Sequence, residues 1–467
     1  MNSALPPVIS TPASHRFALF LKIAGIGLMI LLLHIPLFLT HGVLIERQGL
    51  QRQTVAEISG IWGGQQVVTG PVLAVPYAYK TQVIRSKVVA GKAVQVEETD
   101  LAAATAYFLP EALKVDGSVA PEVRHRGIYN AVVYGTTLRL AGNFQPDFAA
   151  AGIEAERIDW SKARVLFGVS DLRGVRSVSP IQLAGAKPSP FESADGTAGE
   201  FLPLVAKTEG VVADVPLEFA FEVALQGSER LQFVPVGKIT GVALESAWPD
   251  PSFGGAYLPV NRRVAAGGFK ADWEISHFSR GFPQSWTSRL TSHQEMTQKI
   301  GAAGFGVTFA QPVDGYRLVD RAEKYGVLFF VLVFAVFFLF EVTAALRIHP
   351  LQYALVGAAL CLFFLGFLAL SEFMAPGAAY GGAAAACTAL VSTYAASFLH
   401  TGRRTLVILG GLSVTYGYLY FVLQSQDYAL LAGTVALFAT LALVMFCTRR
   451  LNWYALDLPG TAANPNR

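Results

Sequence analysis

The run FALFLKIAGIGLMILLLHIPLFL, Phe17–Leu39, holds a single residue that is fully charged at neutral pH, Lys22. A helix needs about 20 consecutive apolar residues to cross the hydrocarbon core of a bilayer, so this stretch predicts a transmembrane helix over 17–39. It outruns the apolar core of a secretory signal, roughly 7–15 residues. The THGVLIERQG that follows offers no small-x-small cleavage site, which makes the segment an uncleaved anchor.

Composition agrees: 53% of the 467 residues are hydrophobic and 15% charged, where a soluble chain carries about 25% charged. Mean hydropathy is +0.43. Beyond Tyr325 the chain turns apolar again, and five further spans are expected at 325–346, 351–370, 377–398, 405–423 and 428–447. The breaks between them, RIHP, SEFMAP, HTGRR and QSQD, are short, so successive helices are antiparallel neighbours in a bundle.

Orientation follows from the basic residues, which are retained on the cytoplasmic side of short loops. Residues 41–324 hold 28 of the 36 Lys and Arg. The other eight, Arg16, Lys22, Arg347, Arg403, Arg404, Arg449, Arg450 and Arg467, all fall on one side if the N-terminus is inside. Arg347, Arg403, Arg404, Arg449 and Arg450 are thus the topology determinants of the bundle. The expected fold class is a six-helix α+β membrane protein: a cytoplasmic tail at 1–16, the anchor at 17–39, a β-rich periplasmic domain at 40–324, a five-helix bundle at 325–447 and a cytoplasmic tail at 448–467.

The external region balances 28 basic against 29 acidic residues over 41–324, which argues against nucleic acid as a partner. Cys361, Cys387 and Cys447 all lie in expected spans, so this region has no disulfide to form. Its segments QQVVTGPVLAVPYAYKTQVI, IYNAVVYGTTLRLAGNF, PLEFAFEVALQG, ERLQFVPVGKITGVAL and FGVTFAQPVDGY join β-branched and aromatic residues with Gly, Pro and Asn breaks. Alternation in LEFAFEVAL marks a strand with one buried face, and an antiparallel sandwich or barrel-like domain is expected. Helical pieces frame it at VLIERQGLQRQTVAEISGIW and YRLVDRAEKYG.

Several strings in this order, GIWGGQQVVTGPVLAVPY, RGIYNAVVYG, GVSDLRG, AWPDPSFGGAYLPV, PVDGYRLVDRAEKYGVLFF, FEVTAALRIHPLQYALVG and LQSQDYALLAG, resemble the CreD family of bacterial inner-membrane proteins. The resemblance runs from the anchor to FCTRRLNWY at 446–454. It implies an inner-membrane protein of Gram-negative-type bacteria associated with envelope integrity and colicin tolerance. It implies no reaction and carries over no catalytic residue.

Chemistry must therefore be sought in the residues themselves. His125, His277 and His293 have no metal-ligand spacing, and SHQEM lacks the second His of a zinc-protease helix. VPVGKIT lacks the earlier glycine of a phosphate loop and reads as a strand. In GVSDLRG, Ser170 stands beside Asp171 without a nucleophile elbow, as in an Asx-type turn. Glu97 and Glu98 are adjacent on a strand and point to opposite faces. No enzyme activity, cofactor or metal is expected.

Two features remain. WPDPSFGGAYLP can present Trp248, Phe253 and Tyr257 to the headgroup layer or another envelope protein, or fold them over the domain's own core. Glu341 lies inside an apolar run, and ionisable residues there mark internal polar sites; it is expected to point into the bundle. Arg347 and His349–Pro350 read as punctuation, with Pro350 in the first turn of a new helix. His34, Tyr394, Thr415, Tyr416 and Tyr418 complete a thin intramembrane polar inventory. The leading expectation is a non-enzymatic envelope factor acting through lipid or envelope-protein contacts, with a transporter of a small or lipidic solute and an envelope-modifying enzyme as alternatives.

Overall fold

The computed structural model describes residues 13–89, 92–194, 202–208, 216–309, 315–343, 348–399, 401–425 and 428–449. The chain divides into two compact units, a helical one (1–50 with 313–467) and a sheet one (51–312). Helix α1 spans Ala13–Trp62, and α2 (His293–Gly301) belongs to the sheet unit. The helical unit continues with α3 (Gly315–Lys324), α4 (Gly326–Thr343), α5 (Pro350–Ser371), α6 (Pro376–Leu399), α7 (Gly402–Gln424) and α8 (Ala429–Thr448). Among the described residues, three helical stretches are long and apolar enough to cross a membrane: Leu21–Trp62, Pro350–Ser371 and Gly402–Gln424. Gly326–Phe338 is a shorter apolar helix.

Local chemistry sets these boundaries. At the start of α5, Leu351 N–H donates to the His349 ring (3.2 Å) and His349 N–H to the Gln352 side chain (2.9 Å), while Pro350 occupies the first turn, where it forfeits no helix bond. Helix α1 departs from expectation, because the anchor and the helical piece after it form one continuous element. No proline follows Pro36 before Trp62, and the Thr40 hydroxyl donates to the Pro36 carbonyl at 3.0 Å. Gly42 and Gly49 each cost about 1 kcal/mol relative to alanine, too little to end a helix of otherwise good formers.

Inside the helical unit, aromatic rings interlock: Phe363 lies 4.7 Å from Tyr416 and 5.4 Å from Tyr380, and Phe329 lies 4.8 Å from Tyr416.

In the sheet unit, one sheet runs in the order Pro251–Gly255, Phe305–Phe309, Arg230–Phe233, Gln66–Val89, Arg164–Val169, Leu204–Lys207 and Phe191–Ser193, with Lys92–Phe108 also on Gln66–Val89. The second runs Asn261–Ala265, Gly268–Ser276, Ile239–Ser246, Ala112–Arg126, Tyr129–Phe144, Leu217–Ser228 and Val175–Val178. Their inner faces share one core, joined by ring contacts such as Phe167–Phe221 (5.2 Å), Tyr134–Phe309 (5.2 Å) and Trp273–Phe305 (5.9 Å). Burying each such ring contributes about 1.5–3 kcal/mol, so packing supplies the stability. The alternation expected in LEFAFEVAL is present: Leu217, Phe219, Phe221, Val223 and Leu225 are buried, while Glu218 and Glu222 are exposed.

A purely antiparallel sandwich is not what forms. Gln66–Val68 pairs in parallel with Leu231–Phe233, and Ala112–Val119 in parallel with Ile239–Ser246. Parallel partners need a long crossover, and neither pair is adjacent in sequence. Hairpin periodicity therefore gave no sign of them.

The GVSDLRG stretch is a joint rather than a nucleophile site. Ser170 donates to the Gln65 carbonyl (2.6 Å) and accepts from Val67 N–H (3.0 Å). Asp171 accepts from Gly64 N–H (2.8 Å) and from Arg173 (2.8 and 2.9 Å), while Arg173 also donates to the Gly60 carbonyl (2.8 Å). The Arg173 guanidinium and these amides hold the Asp171 carboxyl down at about 2. A depressed carboxyl contributes stability above its unfolded value, near 3.9, that is lost as pH falls through its folded value. Asp171→Asn should therefore lower stability by about 1–2 kcal/mol at pH 7, with the gap to wild type closing between about pH 4 and pH 2. Urea unfolding of the full chain at both ends of that window checks this, and a gap that persists at pH 2 would rule out the carboxylate as its source.

Candidate functional site: buried ion pairs of the helical unit

Glu341 is 5% exposed and sits in the last turn of α4 (Gly326–Thr343). Lys22, from α1, donates to its Oε1 and also to the Ile348 carbonyl at 3.3 Å. Ile348 N–H donates to the same Oε1 at 3.1 Å, and the Tyr353 hydroxyl donates to Oε2 at 3.1 Å. Phe334 and Phe337 close over Tyr353, with ring centroids 5.6 and 6.3 Å away. One carboxylate therefore ties three segments together: α1 through an ammonium, the turn through a backbone amide, and α5 through a phenol. An ionised carboxylate in apolar surroundings is costly unless it is paired and hydrogen-bonded, and this one is both. Arg347 and Arg450 lie outside the described residues. Arg403 is exposed and Arg404 half-buried in the first turn of α7; the guanidinium of Arg449 lies 4.0 Å over the Phe446 ring.

A second set of pairs joins α1 to α3 and to the C-terminal end of α5. His41 Nδ1 lies 2.9 Å from Glu323 Oε2, and Glu323 is 6% exposed. Arg47 lies 3.6 Å from Glu372, which also accepts from the Tyr316 hydroxyl at 3.2 Å. Arg321 donates to the Leu423 carbonyl at 3.4 Å, reaching α7. Burial raises the Glu323 carboxyl above its ordinary value, and His41 partly offsets this. Helix α3 positions these groups: Tyr316, Val319, Ala322 and Glu323 form its buried face, and Arg317 and Lys324 its exposed one. The sequence reading missed this set because His41 and Glu323 are 282 residues apart and were assigned to the external domain. The i, i+3, i+7 recurrence of Tyr316, Val319 and Glu323 was the available signal.

Other polar groups of the helices bond backbone carbonyls, of their own helix or of a neighbouring one. His34 Nδ1 lies 2.9 Å from the Ile30 carbonyl, Thr415 donates to Gly411 (2.8 Å), and Tyr418 donates to Ala432. Tyr380 donates to the Tyr416 carbonyl at 2.6 Å.

In the sheet unit the three histidines go to separate places: His125 to Asn130 (2.6 Å), His293 to the Tyr107 hydroxyl (3.0 Å), and His277 against the Phe278 ring (4.1 Å). Trp248, Phe253 and Tyr257 all turn onto the core. Trp248 meets Phe309 at 6.4 Å, Phe253 meets Phe269 and Trp273 at 5.5 and 5.7 Å, and Tyr257 meets Phe305 at 5.9 Å. Large rings gain more from this core than from water, so the loop presents other residues outward. Leu258 and Val260 are each 66% exposed, and Phe278 is 88% exposed. The Tyr257 hydroxyl donates to the Ser279 carbonyl at 2.8 Å and so links the two segments that carry them.

The sequence profile described as Inner membrane protein CreD matches residues 18–454. The chain is also 32% identical over 449 residues to Inner membrane protein CreD of Escherichia coli (strain K12), covering 96% of each. With the match spanning both the helical and the sheet unit, the chain belongs to the CreD family of inner membrane proteins.

Proposed function

We propose that the chain is a six-span envelope-integrity factor, with both termini cytoplasmic and residues 40–324 periplasmic, acting without catalysis through lipid and envelope-protein contacts of its sheet unit. The observation that supports this most directly is the exposure of Leu258, Val260 and Phe278 on two segments that the Tyr257–Ser279 hydrogen bond joins. Exposed apolar groups held together by a tethered loop are what a contact surface requires. The fixing of Glu341 by three donors favours a structural over a transport role for that carboxylate.

Two measurements test the reading. Reporters fused after residues 347, 403 and 455 should give cytoplasmic signals and those after 200, 374 and 426 periplasmic ones; a periplasmic signal at 403 overturns the topology. A photo-crosslinker at Leu258 or Phe278 in living cells should capture lipid or a defined envelope protein, while the same probe at exposed Lys114, on the outer face of its strand, should not. Equal capture from both positions would remove these exposed apolar residues from the function. The transport alternative predicts instead that Glu341→Gln abolishes the envelope phenotype at unchanged protein level.

A further inference from the structure

The two ion-pair sets lie on the same pair of neighbouring segments. Lys22 meets Glu341 at one end of α1, and His41 meets Glu323 nineteen residues further along it. Between them, residues 23–40 contain no Asp, Glu, Lys or Arg, and neither do residues 325–340 on the opposing chain. At 1.5 Å per residue, nineteen residues of helix rise roughly 28 Å. A bilayer's hydrocarbon core is about 27–33 Å thick. The side chains that α1 exposes in this interval are apolar, among them Leu28, Leu31, Ile35 and Phe38 at 58–74%.

We infer that the Lys22–Glu341 and His41–Glu323 pairs mark the two faces of the hydrocarbon core, so that α1 is clamped to α4 at one headgroup layer and to the preceding α3 at the other, in register with the bilayer. The inference rests on the proposed membrane-spanning reading and adds its depth. Each clamp joins ionisable groups that are cheap at an interface and costly one or two turns deeper. Sliding α1 by a turn against α3 and α4 would break both pairs at once and leave Glu341 and Glu323 buried without their partners. The clamps also relocate the membrane centre. The apolar run 17–39 is centred on residue 28, whereas the interval between Lys22 and His41 is centred on Leu31–Leu32.

Spin labels distinguish these positions. In a full chain whose three cysteines are replaced by serine or alanine, single cysteines go at Leu21, Leu28, Leu31, Ile35, Leu39 and Ile45, all exposed so that the label displaces no packing. The protein is reconstituted in phosphatidylcholine vesicles with a hydrocarbon thickness of about 27 Å. Accessibility to oxygen against a water-soluble nickel chelate then reports depth at each site. The expected profile peaks at Leu31, is as deep at Ile35 as at Leu28, falls to the headgroup level at Leu21, and is more water-exposed still at Ile45. A maximum at Leu28, with Leu39 already at the interface, overturns the clamped register while leaving the spanning reading intact. Water exposure at all six sites overturns the spanning reading itself.

Discussion

Replacing Glu341 with leucine should cost the folded chain about 3–5 kcal/mol, the range for removing one member of a buried ion pair. Three groups lose their partner in that variant: Lys22, the Ile348 amide and the Tyr353 hydroxyl, the last two each donating to Glu341 at 3.1 Å. A buried amide left unbonded alone costs about 1–3 kcal/mol. Glu341→Gln keeps an acceptor for Ile348 and Tyr353 and loses only the charge opposite Lys22, so its penalty should be less than half as large. The double variant Lys22→Met with Glu341→Leu should recover much of the loss, because an apolar pair of similar volume removes the orphaned ammonium. Thermal unfolding of wild type, Glu341→Leu, Lys22→Met and the double variant in the same vesicles completes the cycle, with Glu341→Gln measured beside it. If Glu341→Leu unfolds with wild type, the carboxylate is an interfacial charge and holds nothing together.

The second large effect is expected at Arg280, 8% exposed in the sheet unit. Its guanidinium donates to three consecutive carbonyls, Pro235 (2.9 Å), Val236 (2.5 Å) and Gly237 (3.2 Å), and to the Gln284 side chain. Gln284 in turn donates to the Leu109 and Pro110 carbonyls at 3.0 and 2.7 Å. Burial lowers the arginine to about 10, so it remains charged at neutral pH. Arg280→Ala strands several buried carbonyls and frees Gln284, and about 3–5 kcal/mol should be lost. Arg280→Lys should restore less than half, since one ammonium cannot reproduce a planar fork with five donors. Urea unfolding followed by the emission of Trp273 and Trp286, both buried in this unit, measures the difference. Equal midpoints for Arg280→Ala and wild type would show that the carbonyls find other donors.

Much of the architecture could be read from local pattern. Apolar runs punctuated by Pro350, Pro376 and Gly402 placed α5, α6 and α7 to within three residues at each end. Period-two alternation exposed the strand at Leu217–Ser228, and the Asx-type turn in GVSDLRG followed from one motif. Glu341 was conspicuous because an acid in an apolar run has few bland explanations. Its partner was not, since Lys22 lies 319 residues away and carries no local sign of the contact. The length of α1 was missed for a different reason. A change from apolar to polar composition reads as a boundary, yet a helix needs only backbone continuity, which nothing between Leu39 and Trp62 interrupts. The three rings of WPDPSFGGAYLP were ambiguous because aromatic residues suit a contact loop and a core equally well. Only the geometry separated them from Leu258, the large apolar residue of that stretch that is exposed.

The parallel pairings also set a clock. Gln66 must wait for Leu231, its partner 165 residues on, and Ala112 for Ile239, 127 residues on. At synthesis rates of about 5–20 residues per second, the first of these waits lasts roughly 8–33 s. In that time the hairpins Gln66–Phe108 and Ala112–Phe144 can each close on themselves. Their apolar faces and outer edges stay uncovered until the later strands arrive. A newborn chain therefore passes through a state in which half a sandwich is exposed, and whatever shields it then governs how much of the protein survives to fold.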